Sequence, residues 1–420
     1  MTRDDEKIDR VEPIEVSDFS PKLREYALFG GIERVAGWLE SGALAMLLFL
    51  SKQQASQGVS GSVAEIGVHH GRLFVALCLL RREDENAIGI DVFEDQHLNV
   101  DGSGRGSREH LESHLMHFVG DDPRIAIAKA DSLHVRPDEV RDWLDQQPVR
   151  LFSVDGCHTA EHTESDLILA EAVLAPGGII VLDDFDNAEW PTVHEGGESA
   201  LAGPLAGKIE PIAYGNNKLL LAAPPWAELY RKILLEAVPL EETSEPFAVA
   251  GRPCAKVSAP PLEHWLSDAA WRELVGPGSG RERFSSDATD GVCRLEEGWS
   301  DREAWGVWSD GAESRVLVPV GSDASGFEVS LAYHPFLVPE RRSLRIDAYA
   351  DGSFLDSWTA DTEGRQSRRL RVARPSHASR WLELRLVYDA PISPADLGDP
   401  GDGRALAIGL EEIRWRPQEA

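Results

Sequence analysis

Cysteine, positive charge and long apolar runs are all scarce in these 420 residues. The four cysteines, Cys78, Cys157, Cys254 and Cys293, form no CxxC pair and no Cys/His zinc spacing, which argues against a zinc module or a disulfide scaffold. Lys and Arg number 42 against 72 Asp and Glu, a formal net charge of −30. Such a field repels phosphate backbones and anionic lipid, so neither nucleic acid nor a membrane surface is an expected partner. The longest apolar run, ALAMLLFL at 43–50, is too short to span a bilayer. The opening MTRDDEKIDR is acidic and unlike a signal peptide, and with so few cysteines it predicts a reduced, cytoplasmic protein. Neither an internal repeat nor a low-complexity tract is present.

What is there is an alternation of short apolar strands and helical stretches. Residues 1–20 are charged and predict a disordered tail, and 21–60 carry one or two helices that cover a sheet edge or form part of a substrate lid. From 61 to 240 the order is strand, helix, strand, beginning SVAEIG, RLFVALCLLRR, AIGID. This predicts a Rossmann-like α/β domain with a seven-stranded, mostly parallel sheet and right-handed crossovers. KIEPIAYG and KLLLAAP flank an Asn-Asn turn and predict a closing antiparallel pair. Residues 241–275, rich in Pro and Glu, suggest a linker. From 276 to 420 short alternating segments such as FEVSLAY, SLRIDAYA and WLELRLVY predict an all-β sandwich of jelly-roll type.

Two stretches carry the chemistry. Glu65-Ile-Gly67-Val-His-His-Gly71 ends the first strand and opens the first helix, where glycines let a ligand approach the backbone. The spacing is E-x-G-x-x-x-G. The middle glycine of a dinucleotide fingerprint is replaced by His69, which argues against NAD or FAD. Asp91 ends the second strand, where an acid suits ribose hydroxyls, and Asp131-Ser132 follow the third. The second stretch, residues 149–185, places Asp155 after one strand, His158 three residues on, and Asp183-Asp184 after the next strand. Three carboxylates at the carboxyl ends of neighbouring strands suit a hard divalent cation, and an imidazole titrating near neutrality suits proton removal from a hydroxyl.

E-x-G-x-x-x-G with these acids resembles motif I of the class I S-adenosylmethionine-dependent methyltransferases. D-G-x-H at 155–158, followed by P-G-G-x-I-x-x-D-D at 176–184, is similar to the group containing the mycinamicin-type macrolide-sugar and the rhamnosyl O-methyltransferases. The likeness covers about residues 25–235. It implies S-adenosylmethionine at Glu65, Gly67, Gly71, Asp91, Asp131, Ser132 and Asp155. It also implies Mg²⁺ or another divalent cation at Asp155, Asp183 and Asp184, with His158 as the base. Asp183 stands where a Glu also occurs in the group, which puts the metal's position in question. The loop 91–107, with Gln96, Asn99 and Ser103, either borders cofactor or substrate or is a mobile surface loop. His194 is a further candidate for the acceptor cleft, and His162 reads as helix surface.

The acceptor implied is a sugar hydroxyl on a surface polysaccharide or glycolipid glycan; the alternative is a small natural product, a macrolide sugar or a phenol. The competing reading is a non-catalytic glycan-binding protein with a degenerate cofactor domain. The C-terminal segment also resembles β-rich modules of bacterial polysaccharide-assembly proteins. Its tryptophans, Trp299, Trp305, Trp308, Trp358, Trp381 and Trp415, either fill a sandwich core or stack on sugar rings. Self-association into a homo-oligomer stays open at this stage.

Overall fold

The computed structural model describes residues 13–238, 247–275, 279–286, 288, 291–320, 324–373 and 380–418. They fall into two compact units: residues up to Leu23 with Val35–Trp265, and Arg24–Arg34 with Leu266 onward.

The first unit is built on one twisted sheet. Its strands are β1 (Ser62–Ile66), β2 (Ala87–Asp91), β3 (Ile125–Lys129), β4 (Val149–Val154), β5 (Leu174–Asp183), β6 (Glu210–Gly215) and β7 (Lys218–Ala222). A two-residue-stranded hairpin follows, β8 (Ala248–Val249) with β9 (Arg252–Pro253), and then β10 (Ala255–Val257). The sheet runs β10-β6-β7-β5-β4-β1-β2-β3. β1 pairs in parallel with both β2 and β4, while β7 is antiparallel to β5 and β6. Every residue of β1 and β4 is buried, the continuous run expected when helices cover both faces. The chain moves outward from β1 through β2 and β3, then returns to start β4 on the other side. The switch point therefore lies between β1 and β4, and a ligand site is expected beyond their carboxyl ends. Asn216 and Asn217, both with positive φ (49° and 62°), make the tight turn that sets β6 against β7.

Two features differ from the sequence reading. The sheet has eight strands where seven were expected, because β10, inside the stretch read as a linker, pairs in parallel with β6. Ala-Lys-Val is too short to show a strand period, and the parallel pairing rests on a long connection that includes the helix Pro224–Ala237. The expected disordered tail is placed from residue 13. Ile14 and Phe19 are buried, Val16–Asp18 form a 3₁₀ turn, and Asp18 meets the Lys52 ammonium at 2.5 Å. The part of that tail at 1–12, and residues 239–246 and 276–278 of the later expectations, lie outside the described residues.

The second unit is a β-sandwich. Its strands are β11 (Gly280–Arg283), β12 (Arg294–Leu295), β13 (Trp299–Arg302), β14 (Val307–Ser309), β15 (Glu313–Pro319), β16 (Gly326–Pro335), β17 (Leu344–Ala350), β18 (Ser353–Ala360), β19 (Gln366–Ala373), β20 (Trp381–Tyr388) and β21 (Ile408–Pro417). One antiparallel sheet runs β13-β14-β21-β16-β19, with β11 also on β21; the other runs β12-β15-β20-β17-β18. Burial alternates along β15, β17 and β20, so Val316, Val318, Ile346, Ala348, Leu384 and Leu386 fill the space between sheets. Trp415 and Trp381 are buried, and Trp299 and Trp358 pack against the same core.

Candidate active site

β1 delivers the first half of the site. Gly67 follows it with φ +84°, and a Cβ there would stand 1.5 Å from the Asp155 carbonyl oxygen. The two strand ends thus approach more closely than any side chain permits. Gly71, φ +94°, caps the helix Arg72–Leu80, and a Cβ there would strike Leu111 at 2.5 Å. Its requirement is packing, and it does not line the cleft. Glu65 is only 2% exposed, and its Oε2 has no hydrogen-bond partner among the described residues. Burial, then the neighbouring Asp155 charge, pushes this carboxyl well above the usual range. At the end of β2, Asp91 accepts from the His69 N–H at 2.7 Å and the Phe93 N–H at 2.6 Å, which fixes the loop on either side of it. Asp131 accepts from the Leu133 N–H at 3.1 Å, with Ser132 buried behind.

β4 and β5 deliver the second half. His158 Nδ1 lies 2.7 Å from Asp101 Oδ2 and Nε2 lies 3.1 Å from Asp184 Oδ2. Its ring stacks on Trp190, centroids 4.2 Å apart. Burial opposes the charged imidazolium, but the Asp184 contact and the Asp155 and Asp101 charges prevail and raise the ring to about 9. Asp184 has φ +56°, a left-handed conformation uncommon outside glycine. It is held there by side-chain amides, Asn187 at 2.5 Å and Asn217 at 2.7 Å, both donating to Oδ1. Despite burial, these bonds and the His158 bond hold its carboxyl down at about 2.

Asp183 is oriented differently from its neighbour. Its Oδ2 is bonded to the Lys218 ammonium, and its Oδ1 accepts from Asn217 at 3.1 Å and from the Asp184 N–H at 2.9 Å. Asp155, half-buried at the cleft wall, is pushed well above the carboxylate range by desolvation and then by the Asp183 charge. The donor atoms of Asp155, His158 and Asp184 lie within 4.8 Å of one another, a spacing that can hold a metal ion. Oxygen donors from crowded acids fit a hard divalent cation; the Lys218 contact leaves Asp183 facing an internal cation instead.

One cleft of about 830 Å³ is lined by Glu65, Gly67, Asp91, Asp131, Ser132, Asp155, His158, Asp183 and Asp184 together. The Gly67 cradle and the unpartnered Glu65 oxygen are features that a bound small molecule would complete. Residues 64–185 match the model of a family described as a methyltransferase domain. By that match, this segment carries a methyltransferase domain.

Among solved structures, the chain is similar to the O-methyltransferase NovP, at 14% identity over 43% of this chain and 80% of that one, TM-score 0.36. It is similar to apo CalS11, described as a TDP-rhamnose 3'-O-methyltransferase of calicheamicin biosynthesis, at 20% identity over 44% and 81%, TM-score 0.33. It is also similar to the CBM36-1 domain of a multidomain xylanase from the hindgut metagenome of Trinervitermes trinervoides, at 10% identity over 34% and 92%, TM-score 0.21. No curated protein matches.

Several residues in or behind this cleft were not singled out in the sequence. Asp101 sits in a Gly/Ser-rich loop and reaches His158 across 57 positions of chain. Lys218, 3% exposed, opens an otherwise apolar strand, KLLLA, and a lone lysine heading such a strand was the available signal. Asn217 was visible only as a turn residue. Gln96, Asn99 and Ser103 do line the cleft. His194 turns away to the Phe185 carbonyl and packs on its ring. His162, read as helix surface, is buried and borders the cleft, its Nδ1 2.6 Å from Thr159 Oγ1.

Proposed function

We propose that the first unit transfers a methyl group from S-adenosylmethionine to a sugar hydroxyl, with His158 as the base and Mg²⁺ at the Asp155, Asp183 and Asp184 cluster. The observation that carries this reading is the clamped imidazole. With Nδ1 committed to Asp101, Nε2, 3.1 Å from Asp184 Oδ2, is the nitrogen that can exchange its partner for an acceptor hydroxyl. Glu65, Asp91 and Asp131 line the other half of the same cleft and supply acceptors for an amino group and for ribose hydroxyls. The bound cofactor supplies an electrophilic methyl on sulfur, so the residues' main task is alignment. A cation at Asp155 and Asp184 would acidify a hydroxyl and take up the negative charge that otherwise keeps Nε2 protonated. Asp183 takes part through its charge, held in place by Lys218.

A sugar acceptor is supported by the lining. Trp38 and Trp190 offer ring faces, and Gln96, Asn99, Asn187 and Asn217 offer amide donors and acceptors. That mixture suits a ring edged with hydroxyls better than a flat phenol. We favour a polysaccharide or glycolipid glycan over a small glycoside because the same chain carries an all-β unit with outward aromatic rings.

The test is transfer of labelled methyl from S-adenosylmethionine to a panel of glycosides, glycolipids and polysaccharides. Loss of transfer in EDTA with recovery in Mg²⁺, and a fall of more than 100-fold in His158→Ala and Asp155→Asn, are expected. Full rates in EDTA remove the metal from the reading, and full rates in His158→Ala remove the base. Absence of S-adenosylhomocysteine binding by calorimetry sinks the catalytic reading as a whole.

A further inference from the structure

Two of the second unit's tryptophans do not serve its core. Along β14, Val307 and Ser309 are buried while Trp308 between them points outward and is half-buried. On the same sheet, Trp308 of β14 and His334 of β16 both stand in register with Gly409 of β21, one on each side. Trp305, in the turn before β14, lies over that glycine: a Cβ at 409 would come within 2.2 Å of its indole. The missing side chain is what lets the ring edge rest against the strand. Trp305 meets Trp308 at 5.1 Å and His334 at 5.5 Å between centroids, and Trp308 meets Phe336 at 5.7 Å. Four rings thus share one outer face where alternation alone would place polar side chains.

The rim of this face is polar, and its charges are paired. Trp305 Nε1 donates to Glu303 at 2.9 Å, and Glu303 in turn accepts from Arg404 at 3.1 Å, which also holds Asp402 at 2.6 Å. Across the rings, His334 lies 3.3 Å from Glu411, which accepts from Arg365 at 2.7 Å. In a chain of net charge −30, three carboxylates here face two guanidiniums and an imidazole. A polyanion gains nothing from such a rim and a lipid tail would leave its polar groups unpaired. A neutral polyol matches it, having a C–H face for the rings and an edge of hydroxyls for donors and acceptors.

We propose that this face of the second unit is a binding site for a neutral pyranose ring. Trp305 and Trp308 take its C–H face, and Glu303, Arg404, Glu411 and Arg365 bond its hydroxyls. The site is separate from the methyl-transfer cleft and does not depend on the reading given to that cleft.

Affinity electrophoresis of the full chain in gels cast with dextran, xylan or galactomannan tests it, with polygalacturonate as the charged control. Retardation is expected in at least one neutral polymer and not in polygalacturonate. Trp305→Ala and Trp308→Ala should each weaken retardation tenfold or more with thermal unfolding unchanged. Trp308→Tyr, which keeps a stacking face, should retain most of it, and His158→Ala all of it. Gly409→Val, which lifts the Trp305 ring without removing it, should also abolish binding. No retardation in any neutral polymer overturns the proposal, as does equal retardation of wild type and both alanine variants. Self-association by sedimentation that Trp308→Ala abolishes, without polymer binding, would overturn it in favour of a contact between copies.

Discussion

Asp101 Oδ2 accepts from both the backbone N–H of His158, at 2.6 Å, and its ring Nδ1, at 2.7 Å. One carboxylate therefore fixes the candidate base in position and in tautomer. Asp101 is itself fixed, since its Oδ1 accepts from the Ser103 N–H at 2.8 Å. Burial opposes its ionisation, yet these hydrogen bonds hold its carboxyl down at about 2, so it is charged at any working pH. Asp101→Asn keeps the shape and removes the charge. An orienting carboxylate of this kind governs how well an imidazole takes and holds a proton, and base catalysis is worth about 10²–10⁴-fold. The expected outcome is a fall in kcat of about 10²-fold or more with S-adenosylhomocysteine affinity unchanged, since Asp101 does not line the cleft. Stopped assays and calorimetry check the two halves, and a kcat within threefold of wild type would refute the orienting role.

Lys218 carries a second prediction. Its ammonium is 3% exposed and is held up by the charges of Asp183 and Asp155, which outweigh the burial that disfavours it. Lys218→Met is close in volume and leaves Asp183 buried without its cation. Removing one partner of a buried pair costs about 3–5 kcal/mol. For a unit of this size that is a fall in Tm of roughly 6–20 °C. Differential scanning calorimetry reads it directly. If Mg²⁺ binds near Asp183, adding it should raise the Tm of the variant more than that of the wild type.

Gly67 is the position at which the cofactor half and the acid half touch. A methyl group at 67 would overlap the Asp155 carbonyl and demand a φ of +84° from a residue with a Cβ. Gly67→Ala should therefore separate the ends of β1 and β4 and weaken S-adenosylhomocysteine binding tenfold or more. The soluble variant's calorimetric titration is the check, and wild-type affinity would show that the strand ends have freedom the present geometry does not suggest.

How much of this was open to sequence reasoning depended on the range of the contact. β1, β2, β4 and β5 were legible because strands buried on both faces are short unbroken apolar runs, and their ends carry Glu65, Asp91, Asp155 and Asp183 at fixed offsets. The outer strands of the sandwich were harder. β18 has exposed Phe354 and Ser357, which blurs its period, and β19 carries its alternation on only two large apolar residues, Leu370 and Val372. β10 was hidden by its length of three residues. Within the site, residues set by strand ends were found, whereas Asp101 and Asn217 were not. Both lie on loops whose position depends on chain folding far from them, and no local spacing encodes a bond across 57 or 33 residues. Lys218 lay in between: its strand was predicted, and its burial against Asp183 follows only from the β5–β7 register, which pairs the two directly.

Asp166 provides a test of stability that is independent of catalysis. It lies on the helix Ala160–Val173, 1% exposed, and its Oδ1 has no partner among the described residues. Burial raises its carboxyl to about 7, with the Ser132 hydroxyl opposing and the Asp131 charge adding to the shift. Between the unfolded value near 4 and this folded value, the native state holds a proton that the unfolded chain has released. Stability must therefore fall as pH rises through that window, and the full cost is present above about pH 7. Asp166→Asn cannot ionise and should escape it. The variant's Tm should match or trail the wild type near pH 4, then lead by an amount that grows to pH 7 and levels off above. The lead corresponds to a stabilisation on the order of 1–4 kcal/mol. Scanning calorimetry at pH 5 and pH 8 decides it: a difference between variant and wild type that is the same at both values would mean that Asp166 ionises at its ordinary pKa and that its charge is solvated in the folded state.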